Sequence, residues 1–389
     1  MKRKICVVTS SRADYGYLRG IAKTIHADKN LRLQMIATGT HCDPRFGLTY
    51  QEIIQDGLPI LVKCPIHRVE KNAHSLMNVF TNACQSFAEA FHKHKPDIVV
   101  LLGDRYETLA AAIAGYFSKR IIAHIHGGET TEGAMDEGIR HAITKMAHIH
   151  FPAAEVYRKR IIQLGEHPKH VFNFGSPSMD IVYQTPLLDR NTLFRDLRLD
   201  THERAVLMTY HPETLSYQDS LKNVETTLKA LTGMPYKVIL TKANADKDGT
   251  KINALLKRFS AAHAQQFQLY DSLGHTRFLS CLKYFDFMIG NSSSGIIEAP
   301  SFQIPVINIG CRQQGRVMAK NIISVEAKAS EIQKAIKKAV SVGFRQSLKS
   351  MQNPYAKQKD GKIAQRIVEV LKSLELNELL LQKSFYNIK

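Results

Sequence analysis

Short, nearly continuous apolar runs alternate along this chain with longer stretches in which apolar residues recur every three or four positions. The short runs are rich in Val and Ile, as in parallel strands that are covered on both faces. In the first half of the chain the predicted strands are KICVVTS (4–10), LRLQMIATG (31–39), DIVVLLGD (97–104), RIIAHIHGG (120–128), HIHFPA (148–153) and HVFNFGS (170–176). Helical patterns such as YGYLRGIAKTIHA lie between them, and the alternation predicts a doubly wound α/β domain.

The alternation loosens after residue 176 and begins again near residue 205. The later predicted strands are AVLMTYH (205–211), YKVILTK (236–242), QFQLY (266–270), FDFMIGN (285–291), PVINIG (305–310) and NIISV (321–325). We therefore predict two Rossmann-like domains that face a cleft, with residues 1–176 in the first and residues 177–365 in the second. A helical pattern in residues 366–389 predicts a C-terminal helix that packs back on the first domain.

Composition and charge limit the cellular location and the partners that we expect for this protein. The six cysteines are scattered without Cys-x-x-Cys spacing, which is typical of reduced thiols. No apolar run is long enough to span a membrane, and the apolar part of the N-terminus is too short for a signal peptide, so we expect a cytoplasmic protein without a membrane partner. The net charge of +18 suits an anionic substrate, but the basic residues are spread out and form no nucleic-acid-binding motif. We therefore expect no nucleic-acid partner.

Polar residues follow the predicted strands of the first domain, at the edge where open α/β sheets bind ligands. These residues are Ser10, Ser11 and Arg12 after the first strand, His41 and Asp43 after the second, Asp104 and Arg105 after the third, and Glu129 and Asp136 after the fourth. The turn after the first strand lacks the GxGxxG pattern, which argues against a dinucleotide site. Carboxylates that face arginines suit acid–base chemistry on a sugar.

The stretch AHIHGGETTEGAMD, residues 123–136, is open to interpretation as a metal site, a phosphate-binding loop or part of a sugar site. Alternation along a strand would point His124 and His126 to opposite faces, so both cannot bind one ion without a bulge. Gly127 and Gly128 allow the backbone to approach a ligand closely. The spacing therefore favours a sugar site, and we expect no metal.

The sequence GNSSSGIIEAPS in the second domain is the clearest indication of phosphate binding. Small residues before a helix expose backbone N–H groups to an anion, although an ordinary serine cap is the alternative. The residues concerned are Asn291, Ser292, Ser293, Ser294 and Gly295. Glu298 is near the predicted helix start and suits ribose hydroxyls, and Arg312 after the next strand suits bidentate contact with phosphate. HPETLS adds His211 and Glu213 after the first strand of this domain.

Eight sequences in order resemble those of the hydrolysing UDP-N-acetylglucosamine 2-epimerases, especially the bacterial enzymes of sialic and legionaminic acid synthesis. They are SRADYG, ATGTHCD, LGDRYE, HIHGGE with DEGIRHAITK, RIIQLGE with VFNFGSP, HPETLS, GNSSSGIIEAPS and INIGCRQQGR. The resemblance implies a GT-B-like fold, a UDP-sugar substrate, no metal or redox cofactor, and a homodimer or homotetramer.

The reaction implied by the resemblance has two steps. UDP leaves C1 of the sugar while a proton is removed from C2, and water then adds to the 2-acetamidoglycal to release the manno-configured sugar. UDP-N-acetylglucosamine is the first choice of substrate, and UDP-N,N′-diacetylbacillosamine is the alternative. A non-hydrolysing epimerase, a glycosyltransferase with the same architecture and a non-catalytic UDP-sugar sensor are less favoured.

The resemblance also assigns residues. The implied catalytic residues are Asp104, His126, Asp136 and His211. The implied substrate- or UDP-binding residues are Arg12, His41, Arg105, Glu129, Phe278, Ser292, Ser293, Ser294, Glu298 and Arg312. Two positions depart from the family pattern: many relatives carry glutamate where this chain has His126, and they often carry lysine where it has Tyr17. The identity of the group that removes the C2 proton is therefore open.

Overall fold

The computed structural model describes residues 2–66, 73–131, 135–212, 217–243 and 249–388, and it divides into two compact units. The first unit contains the described residues up to Thr130, Met135–Asp180 and the described residues from Lys357 onward. The second unit contains the described residues within Ile181–Ala356. The division lies close to the predicted boundary after residue 176, but the chain returns to the first unit at Lys357 rather than at residue 366.

The first unit is built on six parallel strands. They are β1 (Arg3–Thr9), β2 (Leu31–Thr38), β3 (Ile60–Cys64), β4 (Ile98–Leu102), β5 (Ile121–Ile125) and β6 (Ile149–Phe151). The helices of this part of the chain are α1 (Arg12–Ala27), α2 (Tyr50–Gln55), α3 (Ala73–His94), α4 (Tyr106–Phe117), α5 (Met135–Met146), α6 (Glu155–Gln163) and α7 (Ser178–Gln184), with 3₁₀ turns at Gly39–Cys42, Pro44–Phe46 and Pro168–His170. The spatial order β3-β2-β1-β4-β5-β6 reverses direction between β1 and β4, which is where doubly wound sheets bind ligands.

Two strand predictions for this unit need correction. The strand predicted at 170–176 is absent: Val171 makes one isolated bridge to His150, and Phe174 instead stacks on Phe151 with ring centres 6.3 Å apart. Strand β3 was not predicted, because it lies at the sheet edge and its alternate side chains are partly exposed. Its continuous apolar run is only Ile60, Leu61 and Val62, directly after a proline, which is too short for the sequence pattern to mark as a strand.

The second unit repeats the architecture. Its strands are β7 (Ala205–Thr209), β8 (Lys237–Thr241), β9 (Phe267–Tyr270), β10 (Met288–Gly290), β11 (Val306–Ile309) and β12 (Ile322–Val325). Its helices are α8 (Arg190–Asp196), α9 (Tyr217–Leu231), α10 (Gly249–Ala262), α11 (Gly274–Tyr284), α12 (Ser293–Ile297), α13 (Ala329–Val340) and α14 (Val342–Leu348), with a 3₁₀ turn at Ala299–Phe302. The parallel order is β12-β11-β10-β7-β8-β9, and the predicted doubly wound architecture is confirmed for each unit.

The C-terminal residues form two helices, α15 (Ile363–Ser373) and α16 (Glu378–Leu381), instead of the single predicted helix. The Asp180 carboxylate accepts hydrogen bonds from the backbone N–H groups of Ile363 and Ala364, each 2.7 Å long, and so caps α15. Helix α15 packs on α1 within the first unit. None of the helices in the described part of the chain is long and apolar enough to cross a membrane.

The segment after α16 joins a group of charges around the buried Glu166, which we call the tail cluster: Lys145, His150, Glu166 and Lys383. The Glu166 carboxylate lies 2.8 Å from Lys383 Nζ, 2.6 Å from Lys145 Nζ and 3.2 Å from His150 Nε2. Lys383 Nζ also donates to the carbonyl oxygen of Ala147, just before the amino end of β6. The tail cluster therefore ties the C-terminus to the amino edge of the first sheet.

Candidate active site

At the opposite, carboxyl edge of the first sheet, Arg140 of α5 organises the catalytic candidates. Its side chain is 2 % exposed and forms an ion pair with the carboxylate of Asp104, which follows β4. Arg140 Nη1 also donates to the backbone oxygen of Glu129 at 2.9 Å and to the Glu137 carboxylate at 3.3 Å. Burial of a guanidinium costs free energy unless its N–H donors are paired. These contacts fix the position of the Arg140 side chain, and its ion pair then holds the Asp104 carboxylate in one orientation.

His126 adopts a geometry that strand alternation did not predict. Strand β5 ends at Ile125, and His126 has a φ of +62°, in the left-handed region that few side chains adopt. His124, two residues earlier on β5, is fully buried, with Nε2 2.8 Å from the Gly103 carbonyl oxygen. Burial lowers the pKa of His124 to about 3. The two histidines therefore have separate roles, His124 in packing and His126 at the edge of the sheet.

The His126 ring is surrounded by polar groups. Nδ1 lies 2.6 Å from Glu129 Oε1, and Nε2 forms a 3.1 Å hydrogen bond with the hydroxyl of Ser176. The Tyr17 ring meets the imidazole edge-on, with centres 5.2 Å apart. We call the charged and titratable residues described so far, Asp104, His126, Glu129 and Arg140, the carboxyl-edge cluster. Asp136 lies in the first turn of α5 and is partly exposed.

A second group of charges lies beside the ends of β1 and β4. Arg105 contacts the buried Glu107 carboxylate through Nε and Nη2, each at 3.3 Å. The Ser10 hydroxyl donates to the Asp14 carboxylate, and the side chain of Ser11 caps α1 by accepting from the Asp14 N–H at 3.2 Å. Burial raises the pKa of Asp14, against the opposing effects of Arg105 and Ser10. Arg105 is thus held at the carboxyl edge, where a cation can meet an anionic ligand.

Two residues that the resemblance assigned to ligand binding have other contacts in this structure. His41 is fully buried, with Nε2 3.0 Å from the Thr9 hydroxyl and Nδ1 2.8 Å from the Thr49 hydroxyl. Burial lowers the pKa of His41 to about 4, so it is a neutral, packed side chain at pH 7. Arg12 is exposed and pairs with Glu52 at 2.9 Å.

In the second unit, the buried Asn291 links the candidate residues at three strand ends. Its side-chain amide accepts from the His211 N–H at 2.7 Å and donates to the His211 carbonyl oxygen at 2.8 Å. Its own carbonyl oxygen accepts from Arg312 Nη1 at 3.1 Å and from Gln313 Nε2 at 2.8 Å. Burial, with a smaller effect from the Arg312 charge, lowers the pKa of His211 to about 3. His211 is therefore neutral at pH 7 in this state.

The serine-rich turn begins at a glycine that the fold requires. Gly290 has a φ of +133°, and a Cβ there would overlap the carbonyl oxygen of Thr209 on the neighbouring strand. Ser292 caps α12 by accepting from the Ser294 N–H at 3.3 Å, and Ser293 is the first residue of the helix. Glu298 lies at the C-terminal end of this five-residue helix, which corrects its predicted place near the helix start.

Phe278, Glu213 and the possibility of a metal site are the remaining points from the sequence. Phe278 is half-buried on α11. Glu213 lies outside the described residues, as does the rest of HPETLS from residue 213 to residue 216. In the described ranges, no group of three or more His, Cys, Asp and Glu side chains is arranged to hold a metal ion.

Sequence analysis missed Arg140, Glu107 and Ser176, although their positions offered some indication. Arg140 follows Asp136 by about one helical turn, and Glu107 ends the LGDRYE sequence. Ser176 lies in VFNFGSP, one of the sequences that carry the resemblance, but it is 50 residues from His126, so the sequence did not show that the two are partners.

Comparisons with known proteins identify the family of the chain and the fold that it shares with solved structures. The family model described as UDP-N-acetylglucosamine 2-epimerase matches residues 23–372. The chain is 42 % identical over 347 residues to the Campylobacter jejuni protein named GDP/UDP-N,N′-diacetylbacillosamine 2-epimerase (hydrolyzing), covering 89 % of this chain and 90 % of that protein. It is 33 % identical over 385 residues to the Legionella pneumophila UDP-N,N′-diacetylbacillosamine 2-epimerase (hydrolyzing), covering 98 % and 99 %.

Among solved structures, the Neisseria meningitidis UDP-GlcNAc 2-epimerase bound to UDP-GlcNAc matches with a TM-score of 0.79. The match covers 95 % of this chain and 99 % of that one at 16 % identity. At this identity the similarity shows a shared fold.

Proposed function

This chain belongs to the UDP-N-acetylglucosamine 2-epimerase family, and from that membership we propose that it is a hydrolysing 2-epimerase of a UDP-linked 2-acetamido sugar. The observation that carries the proposal is the 42 % identity, over 89 % of the chain, to a protein named as a hydrolysing 2-epimerase. The family resemblance predicted from the sequence is thereby confirmed.

UDP-N,N′-diacetylbacillosamine is the substrate that we propose. The relatives from Campylobacter jejuni and Legionella pneumophila are both named for this sugar, which supports the alternative from the sequence over its first choice, UDP-N-acetylglucosamine. The two sugars differ at C4 and C6, where diacetylbacillosamine has an acetamido group and a methyl group. A site that hydrogen-bonds a 6-hydroxyl would reject the methyl sugar by leaving polar groups unpaired.

The second unit would bind UDP. Arg312 and the backbone N–H groups of the serine-rich turn suit the diphosphate, whose charge must be neutralised for it to leave C1. His211 is neutral in the described state, so it would act first as a hydrogen-bond donor. A bound diphosphate would favour its protonated form, which would allow proton transfer to the leaving group.

The first unit would supply the acid–base groups that act on the sugar. Asp104, His126 and Asp136 are the candidates, and each lies at the carboxyl edge of the first sheet or at the start of α5. Loss of the C2 proton forms the C1=C2 double bond as the C1–O bond to UDP breaks. Water then adds at C1 and a proton returns to C2 on the other face, and none of these steps requires a redox cofactor.

We also propose that the protein is cytoplasmic and forms a homodimer or homotetramer. The first proposal is supported by the six cysteines, all of which are free thiols. The second follows from the family resemblance stated above.

A paired NMR time course tests the function. The protein would be mixed with UDP-N,N′-diacetylbacillosamine or with UDP-N-acetylglucosamine in deuterated water, with EDTA and without an acceptor. We expect release of UDP and a manno-configured sugar deuterated at C2, faster from the first substrate. Failure of both substrates to release UDP would contradict the proposal and favour a transferase, whereas faster turnover of UDP-N-acetylglucosamine would contradict only the choice of substrate.

A further inference from the structure

His126 is held differently from its packed neighbour His124. Its two ring nitrogens contact a carboxylate and a hydroxyl, whereas His124 contacts a backbone carbonyl and the Thr144 hydroxyl. Only 11 % of the His126 side chain and 4 % of the Glu129 side chain are exposed. A left-handed backbone conformation is costly for a histidine and persists only when the surroundings impose it. This combination indicates a functional arrangement.

The contacts favour one of the two tautomers of His126. Nδ1 lies 2.6 Å from Glu129 Oε1 without the alignment of a hydrogen bond, but an ionised carboxylate can only accept and so stabilises a hydrogen on the nitrogen nearest to it. Nε2 then has the lone pair and accepts from the Ser176 hydroxyl at 3.1 Å. That hydroxyl has a second possible acceptor in Ser178 Oγ, also at 3.1 Å. When Ser176 donates to Ser178, the Nε2 lone pair becomes available as a base.

We propose that Glu129 is a positioning residue and that Ser176 is a hydroxyl gate, which together prepare His126 Nε2 to take the proton from C2 of the sugar. The step rests on the proposed function. The C2–H electron pair becomes the second bond between C1 and C2, the C1–O pair leaves with UDP, and the proton moves to Nε2. Glu129 then faces a positively charged imidazole and stabilises it, as the carboxylate of a catalytic triad does.

In the described part of the chain, three further titratable or charged groups lie near the ring. Tyr17 reaches it from α1, His124 precedes it on β5, and Arg140 of α5 binds the backbone oxygen of Glu129 rather than its carboxylate. The Glu129 carboxylate is therefore the negative charge closest to the imidazole among the contacts described here. Substitution at Glu129 should therefore alter the charge that faces His126 more than the packing of its ring.

Kinetic measurements on Glu129→Gln test the proposal in the intact enzyme. We expect kcat to fall by about 10²-fold with KM changed by less than about threefold, because the missing charge acts only after proton transfer. The acidic limb of kcat/KM should move to lower pH by about one unit, because the protonated imidazole loses its counter-charge. Glu129→Asp should restore the wild-type limb, and Glu155→Gln, which removes a half-exposed carboxylate paired with Asn173 and Arg158, is the matched control.

A second measurement does not depend on turnover. Nitrogen-15 spectra of histidine-labelled protein, with the His126 signals assigned from their loss in His126→Gln, should show the Nδ1–H tautomer. Observation of the Nε2–H tautomer would overturn the proposal whether or not the protein processes a sugar. A protein that releases no UDP would overturn it together with the proposed function. An active enzyme whose Glu129→Gln variant keeps the wild-type acidic limb would overturn it alone.

Discussion

The tail cluster and the carboxyl-edge cluster use the same kinds of residue at opposite edges of one sheet. Each contains a buried histidine and a glutamate with a basic side chain nearby. In the tail cluster, three nitrogen groups surround the single carboxylate of Glu166. Burial alone would raise the pKa of Glu166, but contacts with His150, Lys383 and Lys145 lower it to about 2.

The carboxyl-edge cluster differs because one of its carboxylates is accessible to a ligand. Asp104 is 26 % exposed although its partner Arg140 is almost completely buried. The cluster also lies where the parallel strands end and the sheet order reverses. Composition alone therefore does not distinguish a catalytic cluster from a structural one. The two clusters are distinguished by the edge of the sheet at which each lies and by whether one of the carboxylates is accessible.

The largest effect should come from Asp104→Asn. We expect kcat for UDP release to fall by about 10³-fold, because an amide cannot exchange the proton and no longer balances the charge of Arg140. Steady-state kinetics would measure the loss, and urea unfolding would show how much stability accompanies it. Retention of more than a tenth of the activity would remove Asp104 from the catalytic set.

Lys383→Met should show the opposite behaviour. Loss of this cation from the tail cluster leaves Glu166 short of one partner in a buried site, so we expect the free energy of unfolding to fall by about 3 kcal/mol. The kcat of the folded protein should stay within about twofold of wild type, because the tail cluster lies at the amino edge. A large drop in kcat without a loss of stability would show that the two clusters are coupled.

Acid should destabilise the first unit through its neutral buried histidines. Burial lowers the pKa values of His41 and His148 to about 4 and that of His124 to about 3, below the value near 6.5 expected after unfolding. Their contribution to stability is complete above about pH 6.5 and is lost as the pH falls toward the folded values. Each should cost about 2 kcal/mol at pH 5, which urea unfolding at pH 7 and pH 5 would measure. Equal stability at the two pH values would contradict this.

The smallest effect should come from Lys145→Met. This lysine also contacts Glu166, but 40 % of its side chain is exposed, so water screens the pair. We expect a loss of less than about 1 kcal/mol in the free energy of unfolding, measured beside Lys383→Met. Equal losses in the two variants would show that exposure does not rank the partners of Glu166.

The sequence by itself determined the two doubly wound sheets and several of the polar residues at their carboxyl ends. Buried parallel strands need continuous apolar runs, and the first polar residues after such runs must lie at the sheet edge. Asp104, Arg105, His211 and the serine-rich turn were found in this way, and their positions follow from local pattern alone.

Only the tertiary structure decided which of these residues are open to a ligand and what holds them. His41 is enclosed by two threonines, and His126 turns out of its strand toward Ser176. Glu166 meets Lys383 across 217 residues of sequence. Such contacts join positions far apart in the chain, so no local period of hydrophobicity encodes them. They depend on how strands and loops come together, which is decided by packing over the whole unit.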